Sequence, residues 1–336
     1  MANRIIFSAA EDSFHIASRE LEDCFGRQIS IERLGPDVGV FAAPEIDLAD
    51  VARACDEHRI VLIKHLSAEA AVLPDPAGLA ERALEIVTER ESPADLSVQV
   101  WVSGRNRFEQ GPAEIAGLVV DRLRDDGFRP GRAGHKHVLS VCLTPGEVLV
   151  GFNEARLALS DWPGGRVRLF RGDDQVSRAE FKLEELFQTF PVELPARGLA
   201  VDFGAAPGGW TRIIRQRGLE VLAVDPGDLD PRVAADPGVR HLRTTAGEFL
   251  RADRRRLDLA LNDMRMEPLL SAELMVTAAR HLKQGATAVV TLKVGLHRVL
   301  ATVDRCLELL AGEFEVVAAR QLHHNRKEVT VLLQRR

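Results

Sequence analysis

The sequence predicts an α/β protein in two parts: a mainly parallel sheet flanked by helices and finished by an antiparallel strand, preceded by small α+β modules. Three observations lead there. From about residue 198 apolar strands alternate with amphipathic helices, the rhythm of a parallel sheet built from crossover units. The polar turn at 323–327 between the last two apolar runs is too short for a crossover helix, so those runs pair as an antiparallel hairpin. The chain has 336 residues, 46% hydrophobic and 28% charged, which is about twice the ~150 residues of an average domain and apolar enough for more than one core.

Taken in order, the first part reads as strands at 4–8 and 61–65 around helices at 11–23 and 47–58. It continues with helices at 78–91 and 112–125 and strands at 96–102, 136–143 and 147–152. The last two strands are joined by Thr144-Pro145-Gly146, a hairpin signal. Residues 159–178 hold three glycines and four arginines and read as a linker. The second part reads as strands at 199–203, 220–224, 240–243, 257–261, 286–293, 314–320 and 329–333, with helices near 209–217, 268–283 and 296–311. The expected division is therefore 1–70, 71–158, a linker over 159–178, and 179–336.

Charge is unevenly spread. Residues 1–100 carry 9 Lys+Arg against 19 Asp+Glu, whereas residues 101–336 carry 35 against 31, within a net charge of −6. A polyanionic partner has to meet a local basic surface in the later part. No window approaches the ~18 apolar residues of a membrane span, and the N-terminus lacks a secretion signal. Cys24, Cys55, Cys142 and Cys306 form no C-x-x-C pair, which argues against a zinc ribbon or a disulfide framework. A cytoplasmic protein with no membrane partner is expected. Arginine is the default cation, and the only lysines are Lys64, Lys136, Lys182, Lys283, Lys293 and Lys327.

The first chemical signal is Asp202-Phe-Gly204-Ala-Ala206-Pro207-Gly208-Gly209-Trp210, a strand entering a glycine-rich turn and then a helix. Glycines permit positive φ and bring a ligand against the main chain. Asp225 closes the next strand, where a carboxylate can accept both hydroxyls of a ribose. The turn is G-x-x-P-G-G, and Pro207 removes an N–H that a pyrophosphate would use. The pattern therefore favours S-adenosylmethionine, a nucleoside with a sulfonium and no phosphate, over a dinucleotide.

Lys182 in SRAEFKLEELF, Asp263 in LNDM, Lys293 in TLKVG and Glu328 in HHNRKEVT resemble the K-D-K-E tetrad of FtsJ-like RNA 2′-O-methyltransferases. With DFGAAPGGWT, the set is most similar to RlmM-type enzymes, which methylate a cytidine of large-subunit (23S) ribosomal RNA. The strong match covers roughly residues 175–336. The resemblance implies a class I, Rossmann-like methyltransferase domain with S-adenosylmethionine as cofactor and Lys293, Lys182, Asp263 and Glu328 as catalytic residues. It implies a cofactor site made by Ser177, Gly204, Ala206, Pro207, Gly208, Gly209, Trp210, Asp225, Thr245, Ala246 and Asp263. It further implies a ferredoxin-like module over 1–70 and a THUMP-like RNA-binding domain over 71–158. The acidic residue with which such enzymes contact the adenine has no counterpart in 241–247, where Thr245 or Ala246 would have to serve.

The chemistry needs these residue types. A ribose hydroxyl is a poor nucleophile at neutral pH, so transfer calls for a base. A lysine, with an ordinary pKa of about 10.4, becomes one when burial or a second cation favours its neutral form. Lys182 supplies that cation, and Asp263 and Glu328 orient the two amines. Taken singly, each residue has a plainer reading as a solvated charge, a strand end or a turn residue; together and in order they are hard to explain so. Arg166, Arg168, Arg171 and Arg178, interleaved with Trp162 and Phe170, are expected to contact RNA phosphates and stack a base. His323-His324 lacks a third ligand at metal spacing, so no metal is expected. Competing readings are a 2′-O-methyltransferase of tRNA or another RNA, and an inactive RNA-binding or assembly factor.

Overall fold

The computed structural model describes residues 3–26, 28–170, 172 and 174–336. The chain divides into two units, Met1–Val167 and Arg168–Arg336. In the first, the order is β1 (Asn3–Ala9), α1 (Phe14–Phe25), β2 (Ser30–Arg33), β3 (Val38–Ala43), α2 (Leu48–Asp56), β4 (Ile63–Leu73), α3 (Leu79–Glu89), β5 (Asp95–Val102), α4 (Pro112–Asp125), β6 (Arg129–Gly131), β7 (His137–Leu143) and β8 (Val148–Glu154). All eight strands join one sheet, ordered β2-β3-β1-β4-β8-β7-β5-β6. Strands β2, β3 and β6 were not expected from the sequence; they are three to six residues long, too short for alternation to stand out.

Strand β4 explains how the sheet is continuous. Its first half pairs with β1, Phe7 opposite Leu66, and its second half pairs with β8, Val72 opposite Leu149. The boundary expected at 70/71 falls inside this single strand. Helices α3 and α4 carry Leu79, Ala83, Ile86 and Val87, and Ile115, Val119 and Leu123, the apolar stripes of amphipathic helices. Those stripes pack on Leu96, Leu139, Val141 and Val150 of the sheet. Each fully buried leucine or isoleucine stabilises the fold by ~1.5–3 kcal/mol.

The expected linker differs too, because residues 159–167 fold against the first unit. Ser8 Oγ donates to the Gly164 carbonyl at 2.9 Å, Gln99 Nε2 to the Asp161 carbonyl at 3.0 Å, and the Gly134 N–H to Asp161 Oδ2 at 2.7 Å.

The second unit runs α5 (Glu180–Thr189), β9 (Leu199–Phe203), α6 (Gly209–Gln216), β10 (Glu220–Val224), α7 (Pro231–Ala234), β11 (Val239–Leu242), α8 (Ala246–Ala252), β12 (Leu257–Asn262), α9 (Pro268–Ala279), β13 (Leu282–Leu292), α10 (Val299–Ala311), β14 (Phe314–Arg320) and β15 (Val329–Arg335). Its seven-stranded sheet has the order β11-β10-β9-β12-β13-β15-β14. Strands β9 to β13 are parallel neighbours, and β15 lies antiparallel between β13 and β14. This is the expected Rossmann-like α/β sheet with its antiparallel last strand. On one face Leu183 and Leu186 of α5 and Trp210, Ile213 and Ile214 of α6 cover Leu259, Leu261, Val289 and Leu332.

Candidate active site

Sheet register brings the four candidate catalytic residues together. Asn262 pairs with Phe203 on one side and Val290 on the other, so Asp263 emerges beside Gly204 and Thr291. Leu292 pairs with Val329, so Lys293 and Glu328 leave opposite each other. Helix α5 adds Lys182 from above the same strand ends, where ligands of open α/β sheets bind.

The resulting cluster is tight. Lys182 Nζ donates to Asp263 Oδ1 and Oδ2 at 3.0 and 3.1 Å and forms an ion pair with Glu328 Oε2 at 2.7 Å. Lys293 Nζ lies 3.1 Å from Glu328 Oε1, donates to Thr291 Oγ1 at 2.7 Å and is in close contact with Asp263 Oδ1. Thr291 Oγ1 in turn donates to Asp263 Oδ1. The four charged side chains are 15–18% exposed, so water screens them only partly. Burial works to raise the Asp263 carboxyl, but the two neighbouring ammonium groups outweigh it and hold it below the ordinary value. Burial likewise opposes charge on Lys182, yet Asp263 and Glu328 prevail and raise it.

Helix α5 also fixes Glu328 through the turn that precedes it. Glu185, 2% exposed, accepts the N–H groups of His323 and His324 at 2.6 and 2.8 Å and Nδ1 of His324 at 2.7 Å. Asn325 Oδ1 accepts from the Leu322 N–H and from Thr330 Oγ1, both at 2.9 Å. The histidine pair is thus part of a turn brace. Among the described residues no group of three His, Cys, Asp or Glu is placed to hold a metal.

Beside the cluster lies a cleft of about 410 Å³ lined by Gly204, Ala206, Val224, Asp225, Pro226, Thr245, Ala246, Asp263, Met264 and Arg265. Gly204 and Gly208 have φ of 70° and 110°, and a Cβ on Gly204 would stand 2.2 Å from Met264 Cγ, so the turn needs glycine there. The Asp225 carboxylate is held still by the N–H groups of Ala206 and Gly227 at 3.0 and 2.7 Å, with lone pairs left on both oxygens. An anionic acceptor pair at a strand end, and a turn lacking one N–H at Pro207, fit a nucleoside without phosphate.

Not every expected cofactor residue lines the cleft. Pro207, Gly208 and Gly209 shape the turn behind it, Ser177 Oγ packs against Gly209, and Trp210 is a core residue whose Nε1 donates to the Ala179 carbonyl at 2.7 Å. Thr245 caps α8 together with Glu248; the bonds from Thr245 and Thr244 hold the Glu248 carboxyl down at about 2.

The arginine expectation needs correction at Arg166. Arg166 is an internal brace of the first unit: it is paired with Asp37, donates to the Val102 carbonyl at 2.6 Å and lies over the Trp101 ring at 5.3 Å. Arg168 and Arg178 are exposed, and Arg171 lies outside the described residues. Sequence reading missed Thr291, which looks like an ordinary β-branched strand residue, and Met264 and Arg265, which follow Asp263 directly. It also missed Arg326 and Lys327, exposed beside Glu328.

Part of the chain is similar to known proteins. Residues 175–332 match the family described as FtsJ-like methyltransferase. The chain is 41% identical over 177 residues to Ribosomal RNA large subunit methyltransferase M of Halorhodospira halophila (strain DSM 244 / SL1), covering 52% of this chain and 51% of that protein. The protein of that name from Laribacter hongkongensis (strain HLHK9) is 37% identical over 202 residues, 56% of each chain. That from Pseudomonas aeruginosa (strain UCBPP-PA14) is 31% identical over 243 residues, 68% of this chain and 65% of the relative. The match thus spans about half to two thirds of the length of these relatives.

Proposed function

From the premise that residues 175–332 are an FtsJ-like methyltransferase domain, we propose that this protein methylates a ribose 2′-hydroxyl of RNA with S-adenosylmethionine. We assign the substrate as a cytidine of 23S ribosomal RNA, following the relatives named for the ribosomal large subunit. The observation that carries the reading is the Lys182–Asp263–Lys293–Glu328 cluster at the edge of the Asp225 cleft.

When bound, S-adenosylmethionine supplies an electrophilic methyl group. Asp225 holds the ribose of the cofactor, and Gly204 and Ala206 admit it against the backbone. Lys293 would accept the proton that the substrate 2′-hydroxyl loses as its oxygen takes the methyl group, whose bond to sulfur breaks with the electron pair left on sulfur. Lys182 keeps a positive charge beside that amine and favours its neutral form, while Asp263 and Glu328 hold both amines in place. Arg265, Arg326 and Lys327, exposed on the loops that carry Asp263 and Glu328, are suited to the phosphates next to the target ribose. The first unit, read as ferredoxin-like and THUMP-like halves of one sheet, selects the RNA.

A methyl on the 2′-oxygen removes the nucleophile that cleaves the adjacent phosphodiester in alkali. Ribosomal RNA from cells lacking the protein, treated with the purified chain and cofactor, should gain one alkali-resistant linkage. Methyl incorporation only into bases would overturn the reading.

A further inference from the structure

We propose that Thr291 is a positioning residue for methyl transfer, its buried hydroxyl fixing the direction in which the Lys293 amine meets the incoming 2′-hydroxyl. The inference rests on Lys293 being the base. Three oxygens surround Lys293 Nζ: Thr291 Oγ1 at 2.7 Å, Glu328 Oε1 at 3.1 Å and Asp263 Oδ1 in close contact. Both carboxylates are shared with Lys182, so each can turn toward either amine. Thr291 is not shared. It lies two residues back along the same chain, is fully buried, and pairs across the sheet with Thr330, whose hydroxyl is itself tied to Asn325.

A hydroxyl has one proton to give and two lone pairs. Thr291 gives its proton to Asp263 Oδ1, so toward Lys293 it acts only as an acceptor. A neutral Lys293 keeps two N–H bonds and one lone pair. With one N–H directed at Thr291 and the other at a carboxylate, the lone pair points out of the cluster. If Thr291 is absent, the two carboxylates take both N–H bonds and the lone pair is turned to the remaining position, away from the direction that Thr291 sets. The proton leaving the 2′-oxygen ends on Lys293 Nζ, and Thr291 gains and loses nothing.

Valine matches threonine in shape but has no hydroxyl, which separates positioning from packing. The 336-residue wild type, Thr291→Val, Thr291→Ser and Lys293→Ala are compared with labelled S-adenosylmethionine and ribosomal RNA extracted from cells lacking the protein. We expect Thr291→Val to lower kcat by ~10-fold or more, with KM for RNA and Kd for S-adenosylmethionine within about twofold, and Thr291→Ser to recover most of the loss. Losing one acceptor also makes the ammonium form less favourable, so the acid limb of the Thr291→Val kcat profile should move to lower pH. Wild-type kcat in Thr291→Val would overturn the proposal, as would a serine variant as slow as valine or a parallel loss of cofactor affinity. Full activity in Lys293→Ala would instead overturn the base assignment beneath it.

Discussion

At Asp263 a desolvation that would raise a carboxyl meets two ammonium groups that lower it, and the cations win. Asp202, one strand away and accepting from Thr211 Oγ1 at 2.7 Å, is pushed up to about 7 by burial, and the Asp263 and Asp225 carboxylates push the same way. Its folded pKa lies above the ordinary value, so the native state binds the extra proton between about pH 4 and 7 and loses that stability as pH rises through 7. Asp202→Asn should flatten this fall; denaturant unfolding at pH 5 and 8 should show the wild type losing more stability than the variant, by ~1–4 kcal/mol. Equal losses would mean the carboxyl is already ionised at pH 5. Asp225→Ala should weaken S-adenosylmethionine binding by ~1.5–3 kcal/mol, the value of charge-assisted hydrogen bonds, as calorimetry would read; unchanged affinity would remove Asp225 from the cofactor site.

At the scale of elements, α5 and the 321–328 turn act as one piece because Glu185 takes three donors from it. Glu185→Ala strips buried N–H groups of their acceptor, at ~1–3 kcal/mol for each unsatisfied group, and releases the turn that carries Glu328. Lower stability by chemical denaturation together with reduced kcat is expected; wild-type values for both would show that the turn holds itself. Three strands were legible to the residue, 199–203 and 220–224, which lead into the site, and 314–320 at the edge of the sheet, because each is a short apolar run closed by polar or glycine residues. The brace from Glu185 was not, since a glutamate on an amphipathic helix reads the same whether it faces water or a turn distant in sequence. For the same reason α8 escaped notice, although Thr245 and Glu248 form a capping box. Strand β13 begins at Leu282, earlier than expected, because Leu257 pairs with Leu282 and draws a polar stretch into the sheet.

Across the whole molecule the charge asymmetry takes on a structural meaning. The acidic first hundred residues lie in the first unit, and Arg166, which looked in the sequence like a surface cation, is consumed there by Asp37 and Trp101. Arg166→Ala should therefore lower stability and leave the salt dependence of RNA binding unchanged. Replacing Arg265, Arg326 and Lys327 together should flatten that dependence, because each phosphate contact releases about one counterion. A salt slope that changes with Arg166 and not with the other three would return the phosphate contacts to the first unit.

Ribose methylation mapped across 23S ribosomal RNA is the most direct test, comparing cells without the protein, with wild type, and with Lys293→Arg. Guanidinium stays protonated and cannot take the 2′-hydroxyl proton, so the variant keeps the charge and loses the base. One cytidine 2′-O-methyl group should be absent without the protein, return with wild type, and stay absent with Lys293→Arg. A map unchanged by deletion, or one restored by Lys293→Arg, would contradict the account.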